Sequence, residues 1–107
     1  MSNHTKKKNS IERRNLPRQA CFKKIGYAYK DYSYMDYITD INSWGAFINT
    51  RKSVPVGENI SVSIPILEHE KTIKVIGEVI RASHDGIGIK FKMGIDDSAI
   101  SSILQND

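Results

Sequence analysis

Cysteine is all but missing from this chain. The 107 residues hold one, Cys21, so no internal disulfide is available and a disulfide-stapled scaffold is excluded. It stands between Ala20 and Phe22 without a neighbouring histidine, which reads as a structural thiol serving as a small hydrophobe. His4, His69 and His84 are scattered without metal-ligand spacing, so no metal is expected. No apolar run is long enough to cross a bilayer, and "MSNHTKKKNS" has lysines with no apolar stretch behind them. It therefore does not read as a secretory signal, and the expected location is the cytoplasm without membrane insertion. Also lacking are a nucleophile with a base beside it, a glycine-rich loop followed by lysine, and a strand–turn–helix serine motif. The expected function is therefore binding, not catalysis.

Acid is scarce at the start. Residues 1–24 carry eight of the sixteen Lys and Arg but only Glu12 among the twelve acids, leaving eight bases against eleven acids in the rest. A net +7 arm ahead of a net −3 body suits capture of an anion, whether nucleotide, nucleic acid or lipid headgroup. Apolar residues make up 39% and charged residues 26%, the balance of a soluble domain, and the length allows one modest core. The division expected is a flexible tail over residues 1–12 and a single domain over residues 13–106.

Along the chain, "NLPR" should be extended because Pro17 turns Leu16 away from helical backbone. Strands are expected over residues 20–29, with Gly26 as a bulge, then over residues 37–42 and 45–50 as a hairpin across Ser43, Trp44 and Gly45, with "KDYSYMD" as a turn. Pro55 and Gly57 mark another turn. The stretch 60–66 alternates so that Ile60, Val62 and Ile64 face inward. In residues 72–83, Ile73, Val75 and Val79 share one face while Ile76 and Ile80 take the other, with Gly77 as a bulge that resets the register. A last strand over residues 87–93 precedes a short helix, N-capped by Asp96 or Asp97, with Ala99, Ile100, Ile103 and Leu104 toward the core. Six strands on short turns imply an antiparallel barrel or sandwich. The five tyrosines between Tyr27 and Tyr37 have no role in this reading beyond packing.

Three short signals then stand in order: "RRNLPR", "DINSWG" and "GIGIKF". Together, over residues 11–104, they resemble the PilZ domain family of cyclic di-GMP receptors, whose pattern is R-x-x-x-R before the first strand and [D/N]-x-S-x-x-G at the second-to-third strand corner. Arg14 and Arg18 stand at the first spacing, with Arg13 as the doubled arginine that often precedes it. Asp40 and Gly45 end the second motif, and Asn42 replaces the usual serine. The resemblance implies a six-stranded antiparallel β-barrel with a C-terminal helix and a flexible basic arm. It also implies a cyclic di-GMP site formed by Arg13, Arg14, Arg18, Asp40, Asn42 and Gly45, and a message passed to a protein effector.

The residue chemistry agrees. Guanine presents O6 and N7 as adjacent acceptors that a guanidinium fork meets with two hydrogen bonds, and arginine also stacks on bases and pairs with phosphates. A carboxylate such as Asp40 accepts from guanine N1–H and N2–H₂, while Asn42 offers both a donor and an acceptor. Gly45 lets the backbone approach a ligand closely. Two other readings stand beside this one. The first is a PilZ-like adaptor without the ligand, acting by protein contact in, for example, pilus or flagellar function. The second is a small nucleic-acid-binding barrel, disfavoured because the basic residues concentrate in the arm while the body is acidic on balance.

Overall fold

A computed structural model of the chain describes residues 19–66 and 70–105. The tail, the arm, and with them Arg13, Arg14 and Arg18, lie outside the described residues. Six antiparallel strands close into a barrel in the order β1-β2-β3-β6-β5-β4. They are β1 Gln19–Tyr29, β2 Tyr32–Asn42, β3 Gly45–Asn49, β4 Asn59–Ile66, β5 Lys71–Ser83 and β6 Gly86–Phe91, followed by the helix α1 Asp97–Gln105.

The alternation expected of residues 60–66 is present: Ile60, Val62 and Ile64 are buried in β4. Ile25, Ile38, Ile48 and Ile89 meet them from the other strands with no exposed surface. The interior is therefore filled largely by β-branched side chains, which suit a pleated half-buried surface. Asp96 is the N-cap, since its carbonyl accepts from Ile100 N–H at 3.0 Å. Ile100 and Ile103 are buried by α1, with Ala99 and Leu104 packed partly against the core. Burying Ile103 completely contributes about 1.5–3 kcal/mol.

Three expectations are corrected. "KDYSYMD" is not a turn but mostly strand: Tyr29 pairs with Tyr32, leaving Lys30 and Asp31 as the whole connection, with Lys30 at φ 56°. The tyrosines that follow are strong strand formers, and their ladder with β1 outweighs the polar residues between them. Gly26 pairs regularly with Met35 and Ser63, and the β1 irregularity falls between Ala20 and Lys23. Gly77 likewise pairs regularly with Ile60 and Phe91, and the β5 shift falls between Val79 and Arg81. What Gly77 supplies is space, because a Cβ there would come within 3.0 Å of Ile89 Cδ1. The two faces of β5 are as expected, with Ile76 and Ile80 exposed.

Pro65 shapes one seam. Strand β1 pairs with β4 only at Gly26↔Ser63, Tyr27↔Val62 and Ala28↔Ser61. By the alternation of an antiparallel ladder, residue 65 is the next to turn its backbone toward β1. Proline has no N–H to donate there, and the ladder stops.

Candidate functional site

The corner "DINSWG" sits where β2 becomes β3. Asn42 pairs with Gly45, so Ser43 and Trp44 form a two-residue turn. The Asn42 Oδ1 accepts hydrogen bonds from Trp44 N–H at 2.8 Å and Gly45 N–H at 3.0 Å. This is an Asx arrangement, the use of a side-chain acceptor to hold a turn. It falls to Asn42 and occupies the amide's oxygen.

The register places the start of β1 beside this corner, with Gln19 opposite Ile41 and Ala20 opposite Asp40. Asp40, Asn42 and Gly45 therefore come together at the end of the barrel where the basic arm joins it. Asp40 also pairs with Phe47, Phe47 with Gly88, and Gly88 with Arg81. These residues form one cross-strand row on the barrel's outer surface. The Arg81 guanidinium lies 5.7 Å from the Phe47 ring centroid, a cation–π arrangement. It also covers Gly88, where a Cβ would come within 3.4 Å of it. A carboxylate, an aromatic ring and a guanidinium thus stand in line from the corner across a glycine floor. Sequence reasoning missed Phe47, Gly88 and Arg81, because the row depends on the register shift before Arg81. The only available signal was a lone arginine ending the apolar alternation of residues 72–83.

The corner is tied to the C-terminal segment. Ser43 is buried and its Oγ donates to Asp97 Oδ1 at 2.5 Å. Its carbonyl accepts from Ile95 N–H at 2.7 Å, and the Trp44 carbonyl accepts from Phe91 N–H at 2.8 Å. The half-buried Trp44 indole lies against Gly94, where a Cβ would meet ring carbons at 3.0–3.2 Å. Trp44 therefore packs on the barrel rim.

On the far side of the molecule, Tyr27 donates to Asp36 Oδ2 at 3.0 Å. Its oxygen lies 2.8 Å from Thr50 Oγ1, which accepts from Lys52 N–H at 2.9 Å. Burial, foremost, raises the Tyr27 hydroxyl above the ordinary tyrosine value; Thr50 works against this and Asp36 adds to it. Cys21 is half-buried with its Sγ 3.7 Å from the Ile38 carbonyl. Among the described residues no group of three or more His, Cys, Asp or Glu is placed to hold a metal, and no helix is long and apolar enough to cross a membrane.

The chain matches the PilZ domain family over residues 12–106. Among solved structures it is similar to the PilZ domain of CeSA from a cellulose-synthesizing bacterium, with a TM-score of 0.60 at 12% identity over 83% of this chain and 92% of that one. That likeness is one of fold. An uncharacterized Legionella protein aligns at 23% identity and a TM-score of 0.49, over 84% of this chain and 89% of that one. No curated protein matches.

Proposed function

This chain belongs to the PilZ domain family, and from that premise we propose that it is a cytoplasmic receptor for cyclic di-GMP, held between the basic arm and the Asp40–Gly45 corner. The family is one of cyclic di-GMP receptors, that is, of binding domains, and we assign this member no reaction. One observation carries the reading: Ala20 lies opposite Asp40, so the chain enters the barrel beside the corner. Successive Cα atoms are about 3.8 Å apart. Arg18 is thus one step from Gln19, and Arg14 is within a few residues' reach of the same corner.

In this reading Arg14 and Arg18, with Arg13, meet phosphates and guanine edges. Asp40 accepts from a guanine's N–H groups, and Gly45 closes the corner without a side chain of its own. Asn42 holds the turn through its oxygen and so shapes the corner that borders the ligand. Phe47 and Arg81 continue the surface along which a second base can lie. A domain of this size signals by a surface that changes on binding and is read by a protein effector.

Titration with cyclic di-GMP, its linear product pGpG, GTP and a short single-stranded oligonucleotide tests this. Saturable binding of cyclic di-GMP in preference to the other three is expected. Arg14→Ala and Arg18→Ala should each weaken it by roughly 10- to 100-fold, the worth of a hydrogen bond to a charged group. Equal affinity for the oligonucleotide would favour a nucleic-acid barrel. No binding by the folded parent would leave the adaptor.

A further inference from the structure

Strand β5 is longer than the partners that flank it. Its ladder with β6 ends at Gly77↔Phe91, with one further bond from Lys92 N–H to the Ile76 carbonyl at 2.8 Å. The chain then leaves for the corner, where Ile95 N–H reaches Ser43. On its other side β5 stays paired with β4 down to Ile66↔Lys71. Since Ile76 turns its carbonyl toward β6, Thr72 and Lys74 turn their N–H and C=O the same way. Among the described residues no strand pairs with them there. Beside this edge a cleft of about 410 Å³ is lined by Ser61, Lys74, Val75, Ile76, Lys92, Met93 and Gly94.

We propose that this cleft docks an extended acidic segment of a partner protein, which adds to the open edge of β5 where β6 departs. An unpaired strand edge is a template for another strand, with main-chain hydrogen bonds giving affinity and alternate side-chain contacts giving specificity. Two exposed apolar side chains border it, Ile76 at 45% and Met93 at 81%, and receive the apolar positions. Charge sets the partner's sign. Lys74 stands on the edge and Lys92 also lines the cleft, with Glu78 against Lys92 at 3.3 Å. An incoming strand with carboxylates at alternate positions meets Lys74 directly. A neutral or basic strand leaves that charge uncompensated, so the lysine that guards the edge against indiscriminate pairing also selects the partner.

The test uses the full chain, ¹⁵N-labelled, and a capped peptide of three Glu-Val repeats. The expected result is amide shifts centred on Thr72, Lys74, Ile76 and Met93, slowed exchange of the Thr72 and Lys74 N–H groups, and binding at least tenfold tighter than that of a Lys-Val peptide. Lys74 is exposed, so Lys74→Glu should stay folded and reverse the preference. An acidic peptide N-methylated at alternate backbone nitrogens should fail to bind. Equal binding of the Glu-Val and Lys-Val peptides, retained binding of the N-methylated peptide, unchanged preference in Lys74→Glu, or no shift at millimolar peptide would each overturn the proposal.

Discussion

Asn42 holds its turn with one oxygen and two N–H groups, and a serine hydroxyl can accept at the same place in the corresponding turn. Asn42→Ser should therefore keep the corner and bind cyclic di-GMP at least as well as the parent. Asn42→Leu leaves the Trp44 and Gly45 N–H groups without that acceptor, at a cost of about 1–3 kcal/mol. Paired thermal melts and titrations check this: the leucine variant should lose stability and affinity together. Loss of affinity at parental stability would instead make position 42 a ligand contact alone. Tyr27 gives a second prediction. Its hydroxyl ionises less readily folded than unfolded, so its contribution to stability is fully present below about pH 10, the ordinary tyrosine value, and is lost as pH rises beyond it. Tyr27→Phe has no such proton. Although it should start about 1 kcal/mol less stable for lost hydrogen bonds, its urea stability should fall less between pH 9 and pH 11 than the parent's. Parallel losses would show that Tyr27 does not carry the alkaline sensitivity.

Among the elements, the β3–β6 pairing rests on Gly86, which faces Asn49 across the ladder. A Cβ there would collide with the Ile48 carbonyl oxygen, and its φ of 155° already disfavours a side chain. Gly57, at φ 98°, has open space around the same position. Gly86→Ala should therefore cost about 3 kcal/mol or more, against about 1–2 kcal/mol for Gly57→Ala; denaturant unfolding of the two variants checks the order. Much at this scale was legible beforehand. The alternation of Ile60, Val62 and Ile64, the turn at Pro55 and Gly57, and the apolar face of α1 all follow from local period and propensity. The irregularities did not, since a glycine in a strand can mark a bulge or a close packing contact. Gly26 and Gly77 proved regular, and the shifts fell at Ala20–Lys23 and Val79–Arg81 instead. Pairing partners decide such positions, and a single strand's sequence does not contain them. For the same reason Asp40, Asn42 and Gly45 could be assigned to one corner from their spacing, whereas Phe47, Gly88 and Arg81 joined them only through the register.

Across the whole molecule, the corner, the rim and the helix form one connected piece. Ser43 reaches Asp97 in the first turn of α1 and Ile95 just before it, while Trp44 rests on Gly94, which lines the β5 cleft. Changes at the corner can therefore reach both α1 and the cleft through direct contacts. Ser43→Ala removes the bond to Asp97 and should cost about 1.5–3 kcal/mol, as a hydrogen bond to a charged group does. It should also weaken the response of α1 amides to cyclic di-GMP while leaving the affinity within a few-fold of the parent's. An undiminished helix response would mean that the bond does not transmit the signal.

The central claim is that cyclic di-GMP sits at the Asp40–Gly45 corner beside the start of β1, and amide NMR mapping of the full chain during titration with cyclic di-GMP tests it most directly. The account predicts saturable shifts concentrated at residues 19–20 and 40–45, extending to Phe47, Gly88 and Arg81, and abolished by Asp40→Ala in a still-folded protein. Saturable shifts centred elsewhere on the barrel, or shifts at the corner that persist unchanged in Asp40→Ala, would contradict it.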